Sequence, residues 1–163
     1  YFLPPPKASN GVYKVSPADL TKMFALLRQE YDYIIIDLDR YVDETTALFL
    51  EETDLLLLVV NLDVPSLVNT NRTLDLLQKV GFDLGKTMLI SNRHLSQNEY
   101  MLEEFTQLVK RAIDWKIPNH KYPECLTAVN KGEPLAVRGE KVKLNKNLME
   151  LAEVLHKRLR EVA

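Results

Sequence analysis

The chain has 163 residues, 46% of them hydrophobic and 27% charged, with a formal net charge of -2. That is enough chain for one well-buried core, and the charge balance gives no electrostatic case for a nucleic-acid partner. A lone cysteine, Cys125, excludes a disulfide framework and a multi-cysteine metal site, and makes a reducing cytoplasm the simplest setting.

His94, His120 and His156 lie far apart and show no metal-ligand spacing. No apolar run approaches the roughly eighteen residues of a membrane span. The chain opens on Tyr1 rather than methionine, which reads as a piece of something longer.

In chain order, Tyr1-Phe2-Leu3 before three prolines reads as the end of a strand running into a loop. A helix begins at Ser16 or Asp19, with Leu20, Met23, Phe24 and Leu27 spaced for one apolar face. Residues 33–38 ("YIIIDL") form a continuous apolar run ending in acid. Without alternation, such a run predicts a strand covered on both faces, as in a parallel sheet. A helix over residues 44–52 follows, then a second fully apolar strand over residues 55–61 ("LLLLVVN").

Pro65 opens a third helix carrying Leu67, Leu74, Leu77 and Val80. Residues 86–91 are a strand, residues 97–113 a helix, and residues 115–117 a short strand stopped by Pro118. A helical turn near residues 124–129 ends at Lys131-Gly132. Finally Leu144, Leu148, Leu151, Leu155, Leu159 and Val162 draw the stripe of a C-terminal helix. Lysines before that helix and basic residues near its end also allow a peripheral membrane anchor. Glu150, Glu153 and Glu161 dilute the charge, so packing on the sheet is the preferred reading.

Strand and helix alternating over short connections predicts an α/β fold: a mostly parallel, doubly wound sheet with helices on both sides, three layers in all. Ligands of such folds bind beyond the carboxyl ends of the strands. The residues there are Asp37-Leu38-Asp39-Arg40, Asn61-Leu62-Asp63, Ser91-Asn92-Arg93 and Pro118-Asn119.

The tripeptide Gly85-Lys86-Thr87 imitates the end of a phosphate-binding loop. Only Phe82, Asp83 and Leu84 separate it from Gly81, one residue short of the spacing that lets successive amides curl around phosphates. It also follows a helix and precedes a strand, the reverse of the order that puts a helix N-terminus on the anion. Gly81 reads as a helix cap and Gly85 as a turn residue.

Asp37 is placed to hold magnesium directly or through water, with Asp39 close behind. An acid closing a strand is equally common as a plain structural feature. The Asn92 amide can donate to and accept from an adenine edge, and Arg93 can stack on a base or pair with a carboxylate. A turn is the plain alternative for both.

Taken in order, "YDYIIIDLDR", "ETDLLLLVVNLDVPSLVNTNRTLDLLQKVG", "TMLISNRH", "IPN" and "AVNKGEPL" resemble the MinD/ParA family of deviant-P-loop ATPases. Within that family they are most similar to the CpaE/TadZ-type pilus-assembly proteins. The resemblance covers nearly the whole chain, so residues 1–163 are expected to be a single domain, the C-terminal portion of such an ATPase.

The resemblance implies a magnesium-side aspartate at Asp37, with Asp39 beside it. It also implies a base-recognising Asn92 with Arg93 alongside, and a second adenine-side loop at Pro118-Asn119. ATP or ADP and Mg2+ are its implied cofactors. A homodimer and other components of a type IV (Flp/Tad) pilus or secretion apparatus are its implied partners, at a cell pole or the inner membrane face.

Two departures qualify it. The family's phosphate loop and the strands around it are expected upstream of Tyr1, so the chain alone should not hydrolyse ATP. After Asp37 the family's usual proline and glycine are replaced by Leu38-Asp39-Arg40-Tyr41, which makes a non-hydrolysing dimerisation scaffold the alternative reading. A phospho-receiver is a further alternative, opposed by the absence of an acidic pair in residues 8–11.

Overall fold

A computed structural model describes residues 16–39, 43–120, 122–135 and 143–162. They fall into two compact units, divided in sequence between Glu52 and Thr53.

In the first unit, helix α1 (Pro17–Glu30) starts where Ser16 accepts the Asp19 N–H and Pro17 fills the first position. A serine cap satisfies an amide that the helix cannot, and proline gives up no bond there. Helix α2 (Glu44–Glu51) is capped the same way by Asp43, whose carboxylate accepts the Thr46 N–H at 2.7 Å. The two helices meet edge-to-face through Phe24 and Phe49, with ring centroids 5.9 Å apart. Arg28 donates to the Glu52 carbonyl at 2.9 Å, tying the end of one helix to the end of the other.

Between these helices, residues 33–38 form no strand, contrary to the sequence expectation. Ile34, Ile36 and Leu38 are half-buried, while Tyr33, Asp37 and Asp39 are exposed and Ile35 is 93% exposed. Apolar composition favours extended backbone, but a strand exists only where a neighbour completes its ladder. None of the described strands pairs with this run.

The second unit holds a three-stranded parallel sheet in the order β1 (Leu56–Val60), β2 (Thr87–His94), β3 (Trp115–Pro118). Helix α3 (Val64–Lys79) links β1 to β2, and helix α4 (Glu99–Val109) links β2 to β3. Helices α5 (Tyr122–Lys131) and α6 (Lys143–Val162) follow. Leu57 pairs with Met88 and Val59 with Ile90, so these four side chains share one face of the sheet. Met88 and Ile90 are buried there with Leu151 of α6, joined by Trp115, Ile117 and Leu155. The cover stops short of β1, where Leu57 and Val59 remain 38% and 57% exposed.

Several ends were read correctly for the right physical reason. Gly81 has φ 82°, the Gly81 N–H donates to Gln78 and the Phe82 N–H to Leu77. That left-handed glycine closes α3 in the six-to-one pattern that satisfies its last carbonyls. Gly132, at φ 64°, closes α5 likewise. Residues Leu84–Lys86 are a short 3-10 turn running directly into β2. Gly85-Lys86-Thr87 is therefore no phosphate loop, and the Lys86 Nζ instead donates to the Thr53 carbonyl at 3.3 Å.

Other limits moved. Helix α4 stops at Val109 because Lys110 turns into the left-handed region at φ 56°, so the expected continuation to Ile113 is absent. Strand β2 runs on to His94, and α5 is a full helix rather than a turn. Among the described residues no helix is long and apolar enough to cross a membrane.

Candidate functional site

The carboxyl ends of β1 and β2 lie side by side, since Val60 pairs with Ser91. Just beyond them Asn61, Leu62, Asp63, Asn92 and Arg93 line a hollow of about 250 Å³. That is slightly below the usual range for a small-molecule pocket, so it suits one end of a ligand.

A local irregularity in β2 presents Asn92 and Arg93. Ser91 pairs with Lys116 and His94 with Pro118, so Asn92 and Arg93 together stand opposite Ile117 alone. The extra residue makes a bulge, and a bulge re-aims side chains at a strand end. Arg93 takes φ 50°, and its backbone N–H donates to the Asn92 side-chain oxygen at 2.9 Å. The Asn92 amide nitrogen is not used in that bond. Asn92 therefore keeps the donor half of the amide pattern that suits an adenine edge. Arg93 is exposed and able to move onto a ligand.

Asp63 has a structural task, because one of its oxygens accepts the Ser66 N–H at 2.7 Å and starts α3. It brings a carboxylate to the wall of the hollow. Residues 61–63 were flagged as a strand end but not as site residues. The signal for them was their position after an apolar run, which cannot say which neighbouring strand end they meet.

Pro118 and Asn119 are placed differently. The Asn119 N–H donates to the His94 carbonyl at 2.9 Å, and Asn119 is exposed. Pro118 lines a second hollow together with His94, Lys116 and the start of α6. The four residues expected on the base side thus divide: Asn92 and Arg93 share one hollow, Pro118 belongs to another, and Asn119 lies at the strand end.

Asp37 and Asp39 belong to the first unit and are both exposed. Oxygen donors of this kind suit magnesium, which keeps several waters and takes one or two carboxylates. No group of three or more acidic, histidine or cysteine side chains comes together for a metal among the described residues.

Near the second hollow, Lys116 Nζ lies 3.1 Å from both Glu99 oxygens, and His94 Nε2 lies 3.3 Å from one. The Lys116 hydrogen bond, more than His94, holds the Glu99 carboxyl below its ordinary value.

The backbone matches a ParA family ATPase from Chlorobium tepidum with a TM-score of 0.77, at 21% identity, over 88% of this chain and 61% of that one. It matches the MinD cell division protein of Aquifex aeolicus with a TM-score of 0.73, at 23% identity, over 88% and 61%. The fold is that of the ParA and MinD ATPases. A chain of a MinC:MinD cell division protein complex from Aquifex aeolicus is matched with a TM-score of 0.74 at 23% identity, over 88% of this chain and 60% of that one.

In sequence, the chain is 26% identical over 143 residues to the septum site-determining protein MinD of Thermotoga maritima, covering 85% of this chain and 52% of that protein. No protein-family model matches. The three parallel strands and flanking helices reproduce the P-loop NTPase-like α/β architecture of the ParA and MinD structures. The chain spans about half the length of the MinD relative it matches.

Proposed function

We propose that the chain supplies the base-side half of a ParA/MinD-like nucleotide switch, with ATP or ADP and Mg2+ as its ligands. The observation that carries this reading is the hollow at the β1 and β2 ends, where a bulge presents Asn92 and Arg93. The ParA/MinD-like backbone around it adds support. In this reading the Asn92 amide meets the base edge and Arg93 lies along the base or its sugar. Pro118 and Asn119 bound the base from the next strand, and Asp37 and Asp39 serve the magnesium side.

The work of the switch would be dimerisation and the placement of a type IV (Flp/Tad) pilus or secretion apparatus at the cytoplasmic face of the membrane or the cell pole. The MinC:MinD complex is a related fold assembled with a protein partner, which supports the same class of partner here. The pilus assignment rests on the order of the sequence pieces. Isothermal titration of ADP and Mg2+ into the protein tests the reading. Saturable binding lost in Asn92→Asp supports it, and binding unchanged by that substitution removes Asn92 from the site.

One observation favours a second reading, a scaffold that keeps the fold without the switch. The Asn92 oxygen is already satisfied by Arg93, as a purely structural turn requires. On that reading Asn92→Ala leaves localisation and partner binding intact, whereas a nucleotide switch loses both.

A further inference from the structure

Both flanks of the β2 bulge are pinned. Ser91 pairs with Val60 on one side and Lys116 on the other, while His94 pairs with Pro118 and its carbonyl accepts the Asn119 N–H at 2.9 Å. Asn92 and Arg93, between these points, lie outside the paired register.

Arg93 sits at φ 50°, a left-handed backbone that costs any residue with a Cβ. What holds it there is local: its N–H donates to the Asn92 side-chain oxygen at 2.9 Å. Arg93 is exposed on the wall of the hollow, and its guanidinium makes no hydrogen bond or ion pair among the described residues. Nothing at the far end of the side chain therefore fixes the backbone. One local hydrogen bond and one left-handed non-glycine residue are of similar size and opposite sign, so the closed form is close to balance.

The oxygen that holds Arg93 belongs to the amide that lines the hollow with it. An adenine edge engages the oxygen and the nitrogen of one amide together, its amino group donating to the oxygen. That amino group competes with the Arg93 N–H for the same acceptor.

We propose that the Asn92–Arg93 bond is a latch that a bound base opens. With the bond closed, Arg93 is left-handed. A ligand with adjacent donor and acceptor takes both groups of the Asn92 amide, the Arg93 N–H passes to solvent, and its backbone leaves the left-handed region. That turn carries the guanidinium to a new position at the mouth of the hollow, so the end of β2 reports whether a base is bound. The inference rests on the nucleotide reading of this hollow and adds its conformational response.

The test follows the Arg93 amide and its backbone Cα and Cβ shifts, which separate left-handed from extended backbone, as ADP and Mg2+ are added to the protein. The expected result is a saturable departure of Arg93 from left-handed shifts, in step with binding at Asn61 and Asp63. The diphosphate of purine riboside, which lacks the exocyclic amino group, should leave Arg93 left-handed at every concentration. Asn92→Asp, which cannot donate to a base and holds the Arg93 N–H with a charged oxygen, should do the same with ADP.

Two variants that remove the guanidinium alike separate a latch from a fixed turn. Arg93→Gly lowers the cost of the left-handed form and Arg93→Ala keeps it, so ADP should bind the alanine variant roughly fivefold more tightly. Saturable binding with Arg93 unmoved, opening by the purine riboside diphosphate, or a glycine variant that binds as tightly as the alanine variant overturns the latch and leaves the nucleotide reading standing. An absence of saturable shifts at Asn61, Asp63, Asn92 and Arg93 overturns both.

Discussion

The side-chain oxygen of Asn92 accepts the backbone N–H of Arg93 at 2.9 Å, at the point where β2 carries two residues against one of β3. This bond closes the bulge on itself and supports the left-handed backbone of Arg93. It also divides the asparagine in two: the oxygen serves the fold, and the nitrogen takes no part in that bond.

That division is testable by substitution. Asn92→Asp keeps the accepting oxygen and loses the donor, so thermal stability should change little while nucleotide binding weakens. Asn92→Ala removes both and should also cost about 1 kcal/mol of stability for the lost local bond. Paired denaturant melts and ADP titrations of the two variants separate the roles. Equal binding by Asn92→Asp and the parent protein would reduce Asn92 to a turn residue.

Arg93 offers a backbone counterpart. At φ 50° a β-branched side chain is strained, so Arg93→Val should destabilise by about 1–2 kcal/mol. Arg93→Gly should be close to neutral in a urea melt. A melt in which Val is tolerated as well as Gly would contradict the bulge geometry.

The sheet sets the scale for the core. Leu89 is fully buried in the central strand, and Leu89→Ala should cost about 2–5 kcal/mol in urea denaturation. Val59, 57% exposed on the edge strand, should accept threonine with a change within about 0.5 kcal/mol.

Acid should loosen two specific joints. The Asp43 carboxyl is lowered chiefly by the Thr46 N–H, and Glu99 chiefly by Lys116. A carboxyl whose folded value lies below its unfolded value stabilises the fold at neutral pH. That stabilisation is lost as the pH falls through the ordinary carboxylate range to the lowered folded value. Amide exchange at the first turn of α2 should therefore accelerate below about pH 4. Asp43→Asn, which still caps, should abolish that dependence. Unchanged exchange at Thr46 on acidification would contradict the capping role.

How much of this was legible in the sequence can be seen residue by residue. Local chemistry was readable: Gly81 and Gly132 at left-handed helix ends, Pro65 at the start of α3, and Gly85-Lys86-Thr87 as a turn leading into a strand. The strand ends carrying the candidate site were also readable, because apolar runs β1 and β2 stop at polar residues. What depends on partners was not. Residues 33–38 have the composition of a buried strand, yet composition supplies no neighbour for their ladder. The bulge at Asn92 and Arg93 arises from the offset between β2 and β3, which neither strand encodes alone. Helix α4 ends at a left-handed Lys110 with no glycine to announce it. Lys116 meets Lys143 and Lys146 around one hollow, a meeting that the linear reading, which took the lysines before α6 for a possible membrane anchor, did not show.

The central claim is a base-side nucleotide site at the ends of β1 and β2. The most direct measurement is an amide-shift map of residues 1–163 during titration with ADP and Mg2+, with a phosphate-release assay on the same sample. The account predicts saturable shifts centred on Asn61, Leu62, Asp63, Asn92 and Arg93, reaching Pro118 and Asn119 through neighbouring amides, and no ATP turnover. An absence of saturable shifts, shifts that survive Asn92→Asp, or detectable turnover by this chain would contradict it.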